Sequence, residues 1–331
     1  RPRSRGHGAG QGRDRLRCAA VLAIVLAVLV AVAAGVALAH RSRRAAHRAR
    51  SWALRTMLWA LAPFAYYVNL AHARFAADVL AGGAIAVAAI GCTALVAWRL
   101  ARGPLGLGRD RPTMGAAIHC AIQANTGYLG LPLCAVLFTQ QELAQAIVYD
   151  TIVSIATFAV GGFAIGALFG TVAADLRPWP VARAILLRNP PLAAVVAGLL
   201  VPDAWAPDAL VGPAEVAVFA MLPLGFLAVG VTLADEAAEG ALRIPPPLDR
   251  AVATVVALRM AFMPALLAAA SALLIDVPAP YPLLAAMPVG LNTLVVAHAT
   301  GLSLRLCAAA ITWSTAIALA GVLALTGAGV L

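Results

Sequence analysis

The chain has 331 residues, 63% of them hydrophobic and 11% charged, with a formal net charge of +10. Soluble domains are nearer half apolar and a quarter charged, so a water-soluble body is excluded and the apolar excess calls for a bilayer. All 24 basic residues are Arg. They fall mainly between apolar segments, where basic residues orient membrane spans, so nucleic acid is not an expected partner.

Residues 1–17 read as a basic, disordered tail. Residues 18–39 form the first apolar run. A signal peptide ending at Ala37-Leu38-Ala39 is the rival reading, and the length of the run favours a true span. Further apolar segments follow at about 52–72, 77–98, 114–138, 142–171, 185–201, 209–234, 250–275, 281–300 and 305–330. A span needs about 20 mostly apolar residues, so the expected fold is an all-α membrane protein of about ten transmembrane helices. Arg-bearing or Pro/Asp-bearing breaks separate them, such as Arg99 to Pro112 and Pro202 to Pro207. Ile244-Pro245-Pro246-Pro247 cannot continue a helix, because Pro lacks the N–H and clashes with the preceding turn.

Orientation follows from the Arg residues in the loops. The loops after spans 1, 3, 5, 7 and 9 hold six Arg from Arg41 to Arg55 and four from Arg99 to Arg111. They also hold Arg177, Arg183, Arg188, Arg243, Arg250 and Arg305, whereas the opposite loops hold only Arg74. The positive-inside rule puts the Arg-rich loops in the cytoplasm and both termini outside, at the cell (plasma) membrane. The six Arg of the tail pull the other way.

Ten spans divide into a first five-helix repeat, residues 18–171, and a second, residues 172–331. An odd-numbered unit duplicated in tandem is inverted. Ala62-Pro63-Phe64 in span 2 echoes Leu222-Pro223-Leu224 in span 7, and spans 4 and 9 correspond in the same way. Span 4 contains Gln123-Ala124-Asn125-Thr126-Gly127-Tyr128-Leu129-Gly130-Leu131-Pro132, and span 9 contains Met287-Pro288-Val289-Gly290-Leu291-Asn292-Thr293. Each places an Asn-Thr pair, Gly and Pro inside an apolar segment, where Pro removes a backbone donor and Gly permits non-helical backbone. Freed backbone groups in hydrocarbon need protein or a watered cavity. Both segments are therefore expected to be broken, crossing helices facing the protein interior.

Interrupted segments at matching positions of two inverted halves mark transport sites. Half-helix N-termini carry about half a positive charge each and suit a small anion. The candidate substrate-binding residues are Asn125, Thr126, Gly127, Pro132, Pro288, Asn292 and Thr293. The bland alternative is two kinked helices packed through Asn and Thr.

The stretch from Asn125 to Pro132 resembles the N-T-G-x-x-G-x-P signature of the auxin efflux carrier family. Leu187-Arg188-Asn189-Pro190-Pro191 resembles it too, and Met287-Pro288 with Asn292 resembles the family's second broken helix. Leu258-Arg259-Met260 through Pro264, and Ser314, fit its looser pattern. The resemblance implies the ten-helix, inverted-repeat fold shared with bile acid/sodium symporters, with a scaffold domain and a transport domain that carries the site across the membrane. It also implies organic anion substrates, such as auxin in plants and malate or malonate in some bacterial members, and a homodimer. The break after span 5 is short, unlike the long cytoplasmic loop of many plant carriers.

Ionisable residues within spans are costly and usually functional. Arg259 in span 8 can meet a substrate carboxylate or a structural partner such as Asp235 or Asp150. His119 and His298 lie near the two breaks, where they can carry protons or serve as interior hydrogen-bonded groups. Asp150 reads as a carboxylate at the edge of span 5, with a charge or proton role as the alternative. Gly162, Gly166 and Gly170 form a small-residue stripe for packing or a dimer face. The five cysteines lie in or beside apolar segments without a C-x-x-C pair, so no metal or disulfide is expected.

H-E-x-x-H and G-x-S-x-G are absent, and without Lys there is no Walker phosphate loop. An enzyme is not expected, and no cofactor is implied. The expected function is secondary transport of small organic anions by alternating access, with membrane lipid as surroundings. The alternative is a polytopic receptor or structural membrane protein.

Overall fold

The computed structural model describes residues 7–73, 77–172, 190–201, 205–238 and 246–327. Residues 1–6 of the tail, Arg74, Arg177, Arg183, Arg188, Arg243 and Leu187 to Asn189 of one motif lie outside the described residues. Among the described residues there are helices and no strand. Among the described residues, six helical stretches are long and apolar enough to cross a membrane: Cys18–Arg41, Ala77–Arg102, Gln140–Phe169, Asp208–Asp235, Arg250–Leu273 and Leu304–Leu325. The chain is an all-α polytopic membrane protein.

Helix α1 runs from His7 to Arg41, so its helical backbone extends into the basic tail. Ser42 breaks it and caps α2, Arg43–Thr56, by accepting from the Ala45 N–H. A π-turn at Met57–Leu61 leads into α3, Ala62–Ala71. Next come α4, Ala77–Arg102, α5, Arg111–Ile122, and α6, Leu131–Leu137. The fifth segment is α7, Gln140–Ser154, joined to α8, Phe163–Phe169, by a π-turn. The later helices are α9, Pro190–Leu200, α10, Val211–Ala238, α11, Arg250–Ala257, and α12, Met263–Leu273. The last three are α13, Pro280–Ala285, α14, Asn292–Thr300, and α15, Leu304–Gly327.

Three π-turns precede a proline near the start of the following helix. Met57–Leu61 precedes Pro63, Thr126–Gly130 precedes Pro132, and Leu258–Phe262 precedes Pro264. Proline cannot donate to the carbonyl four residues back and crowds it. A wider turn at that point keeps the chain helical while stepping over the missing bond.

Helices α1, α2, α3, α9 and α10 pack with one another. Helix α1 lies along α10, and a Cβ on Gly35 or Gly230 would meet the backbone of the opposite helix. Small residues let two helix backbones approach this closely. A second group comprises α4 to α8 and α11 to α15. The Gly162, Gly166 and Gly170 stripe lies inside this group, facing His119 on α5 and Thr300 on α14. It serves packing within the chain. Contacts of α3 with α7 and of α1 and α10 with α6 join the two groups.

Candidate functional site

The two expected interruptions are present, and they meet. Helix α5 stops at Ile122, Gln123 to Asn125 are extended or irregular, and helical backbone resumes at Thr126. Helix α13 stops at Ala285, and α14 resumes at Asn292. The intervening strands of chain pair antiparallel, with Ala124 opposite Val289. Asn125 N donates to the Pro288 carbonyl at 2.8 Å, and Gly290 N donates to the Gln123 carbonyl at 2.9 Å. Each break thus satisfies backbone groups freed by the other, as an apolar interior requires. A Cβ on Gly290 would sit 2.6 Å from the Ala124 carbonyl oxygen, so this close approach needs glycine. Ser314 on α15 supports the crossing by accepting from Val289 N at 3.0 Å.

Arg259 holds the opposite ends of the half-helices. It is 1% exposed. Its guanidinium donates to the carbonyls of Met287 at 3.1 Å, Ile122 at 3.3 Å and Ala285. Ile122 ends α5 and Ala285 ends α13. Two helix C-termini carry about −0.5 each, and one guanidinium balances their sum. The sequence offered Asp235 or Asp150 as its structural partner. Asp235 instead pairs with Arg50 at 3.2 Å and faces His47 at 3.7 Å.

The N-terminal ends of the half-helices open on a cavity of about 270 Å³. Asn125, Thr126, Gly127 and Asn292 line it, together with Gln123, Gly290, Tyr66, Tyr128, Asp150 and Ser154. At about 30 Å³ per water it holds roughly nine waters, below the 300–1,000 Å³ typical of drug-sized ligands. Asn125 is 2% exposed, and neither its amide nitrogen nor its oxygen has a hydrogen-bond partner. The Gln123 side-chain oxygen is also unpartnered. Buried amides are normally satisfied, so these groups bring unmet hydrogen-bonding capacity to the cavity.

Asp150 is a correction to the sequence reading. It is 5% exposed and lies inside α7, not at a loop edge. Tyr66 Oη donates to its carboxylate at 2.6 Å, Thr126 Oγ1 donates to the other oxygen, and Ser154 Oγ lies at 3.4 Å. The signal was present in the sequence. Thr139 and Glu142 form a capping box that starts α7 at Gln140, which puts Asp150 about 15 Å along the helix, near the middle of a core about 30 Å thick.

The other expected residues divide by role. Thr293 donates to the Gly290 carbonyl at 2.8 Å and fixes the turn into α14. Pro288 supplies the carbonyl for Asn125, and Pro132 lies at the start of α6. These three shape the crossing without lining the cavity. His119 is buried against Gly162 and lines neither cavity, while His298 is exposed in a second one. That second cavity, about 690 Å³, shares Leu54, Tyr128, Leu291 and Asn292 with the first and is rimmed by Arg43, His47 and Arg50. Sequence reading passed over Tyr66, Tyr128 and Ser154, whose spacing alone does not bring them together.

Compared with known protein families the chain matches no family model, and compared with curated proteins it matches none.

Proposed function

We propose that the chain is a secondary transporter of the auxin efflux carrier type, moving small organic anions such as carboxylates by alternating access. It is not an enzyme in this reading, and no cofactor takes part. The observation that carries it is the buried, unpartnered Asn125 amide beside the paired breaks, in a cavity where two half-helix N-termini converge. Free N–H groups and the positive ends of helix dipoles favour an anion there. Arg43 and Arg50, offset in part by Asp235, leave the rim of the second cavity net positive, which concentrates anions at a cleft.

Six long spans, with the segments at about 52–72, 114–138, 281–300 and the one ending at Leu200, total ten crossings in this reading. They form two inverted five-helix repeats, residues 18–171 and 172–331. The packing supports the family's division of labour, with α1, α2, α3, α9 and α10 as scaffold and the rest as the moving part. A plasma-membrane location with both termini outside, and a homodimer, belong to the same reading.

The test is uptake by the purified protein in proteoliposomes, across a panel of mono- and dicarboxylates that includes malate, malonate and an indole acetate. Asn125→Ala and Asn292→Ala are expected to abolish saturable uptake while leaving the chromatographic profile and helix content unchanged. Undiminished uptake by both variants would refute the site. Folded wild-type protein that moves none of the acids would refute the substrate class.

A further inference from the structure

A carboxylate inside an anion site poses a problem of charge. Asp150 shares the 270 Å³ cavity with the Asn125 amide and both half-helix N-termini. Among the described residues no cation lies within 4.0 Å of it. Arg259 is already held by three carbonyls. The titratable groups around Asp150 are the phenols of Tyr66 on α3, Tyr128 on the π-turn and Tyr149 on its own helix, with the Cys134 thiol on α6. Helices α4 and α13, also packed on α7, contribute Asp78 and Tyr281, and Tyr281 touches the Tyr149 ring. Helix α9 contributes no titratable side chain. Phenols and thiols ordinarily lose their protons above neutrality, so Asp150 is the cavity group able to change charge below it.

Two negative charges in one small, water-poor site disfavour each other, and the site relieves this by keeping a proton on one of them. The hydroxyl partners allow both states. Ser, Thr and Tyr O–H groups donate to a carboxylate and can turn to accept from a carboxylic acid.

We propose that Asp150 is a proton-binding site whose occupancy is coupled to the anion, so that each anion enters with a proton on Asp150. This rests on the anion-transport reading above. The same proton acts between the two packing groups, because the Tyr66–Asp150 bond joins α3 to α7. A hydrogen bond to a charged acceptor is about twice as strong as a neutral one, so ionised Asp150 holds the groups together and protonated Asp150 loosens them.

The sign follows directly. Anion affinity falls as pH rises, by about tenfold per pH unit once Asp150 is ionised in the free protein. Two measurements test it. The first is malate uptake into proteoliposomes with and without an inward proton gradient. The gradient is expected to drive accumulation by the wild type. Asp150→Asn, which mimics the protonated acid, is expected to bind and exchange malate independently of pH without accumulating it. Wild-type uptake that ignores the gradient, or follows sodium instead, overturns the proposal and leaves the transport reading standing. The second is infrared titration of the protein in lipid, which needs no transport. A protonated-carboxyl stretch that titrates, grows on adding malate and is missing in Asp150→Asn supports the site. No such band at any pH overturns it. A titrating band in a protein that moves none of the acids keeps the proton site and removes the carboxylate reading.

Discussion

Replacing Arg259 by Met removes the cation that ties the crossing together while keeping a similar apolar volume. Three carbonyls, those of Ile122, Ala285 and Met287, then lose their donor. Hydrogen bonds to charged groups contribute about 1.5–3 kcal/mol each, so even the lower end gives a loss of about 4.5 kcal/mol. Native stabilities are about 5–15 kcal/mol, so the loss is a large fraction of the whole. At about 2 °C per kcal/mol for a large chain, the melting temperature is expected to fall by roughly 9 °C. Arg259→Lys keeps the charge near both helix ends but not the planar fork, and its loss is expected to be about half as large. Thermal unfolding of the purified protein in lipid nanodiscs, followed by tryptophan fluorescence, measures both. A Met variant that melts within about 2 °C of the wild type would refute the clamp, and with it the charge balance between one guanidinium and two helix ends.

Gly290→Ala drives a methyl group toward the Ala124 carbonyl. A cost of about 1–3 kcal/mol and loss of uptake are expected, read from thermal unfolding and proteoliposome flux together. The Arg50–Asp235 pair is partly exposed, so Arg50→Ala is expected to change stability by less than about 1 kcal/mol. The same variant is expected to slow anion entry most at low ionic strength, where steering is least screened; unchanged entry at low salt would show that the basic rim does not steer the substrate.

The crossing was legible because its cause is local. Asn, Gly and Pro crowded into a few residues of an apolar run break the helix locally, and two such runs announced two breaks, whereas the lone Pro223 leaves α10 continuous. Their partnership was legible only as correspondence. That Gln123 and Gly290 exchange a hydrogen bond depends on how the chain packs, not on either run alone. Arg259 stood out as a charge within a span, yet its partners are backbone carbonyls, which carry no sequence signature. Asp150 reads in the sequence as an edge carboxylate although it lies eight residues into the apolar segment that starts at about 142, and the Thr139–Glu142 capping box, which starts α7 at Gln140, sets it deeper still. Tyr66 lies on a different helix from everything it serves, so no spacing rule points from it to Asp150. The glycine stripe at 162, 166 and 170 was ambiguous for a related reason: periodicity identifies a close-packed face but not the helix that covers it.

The pairing of Ala124 with Val289 also constrains how the protein is made. Residues 123–125 reach the membrane long before 288–290 have been synthesised, since domains are built N-terminal first at about 5–20 residues per second. Through that interval the carbonyls of Ile122 and Gln123 and the N–H of Asn125 lack the partners they have in the finished molecule. Unsatisfied backbone groups in hydrocarbon cost several kcal/mol each. The early half must therefore wait in a watery or protein-lined environment, such as the insertion machinery itself, until Arg259 and Gly290 arrive. A chain arrested before Arg259 should be recovered bound to that machinery or degraded, whereas one arrested after Ser314 should be released into the bilayer.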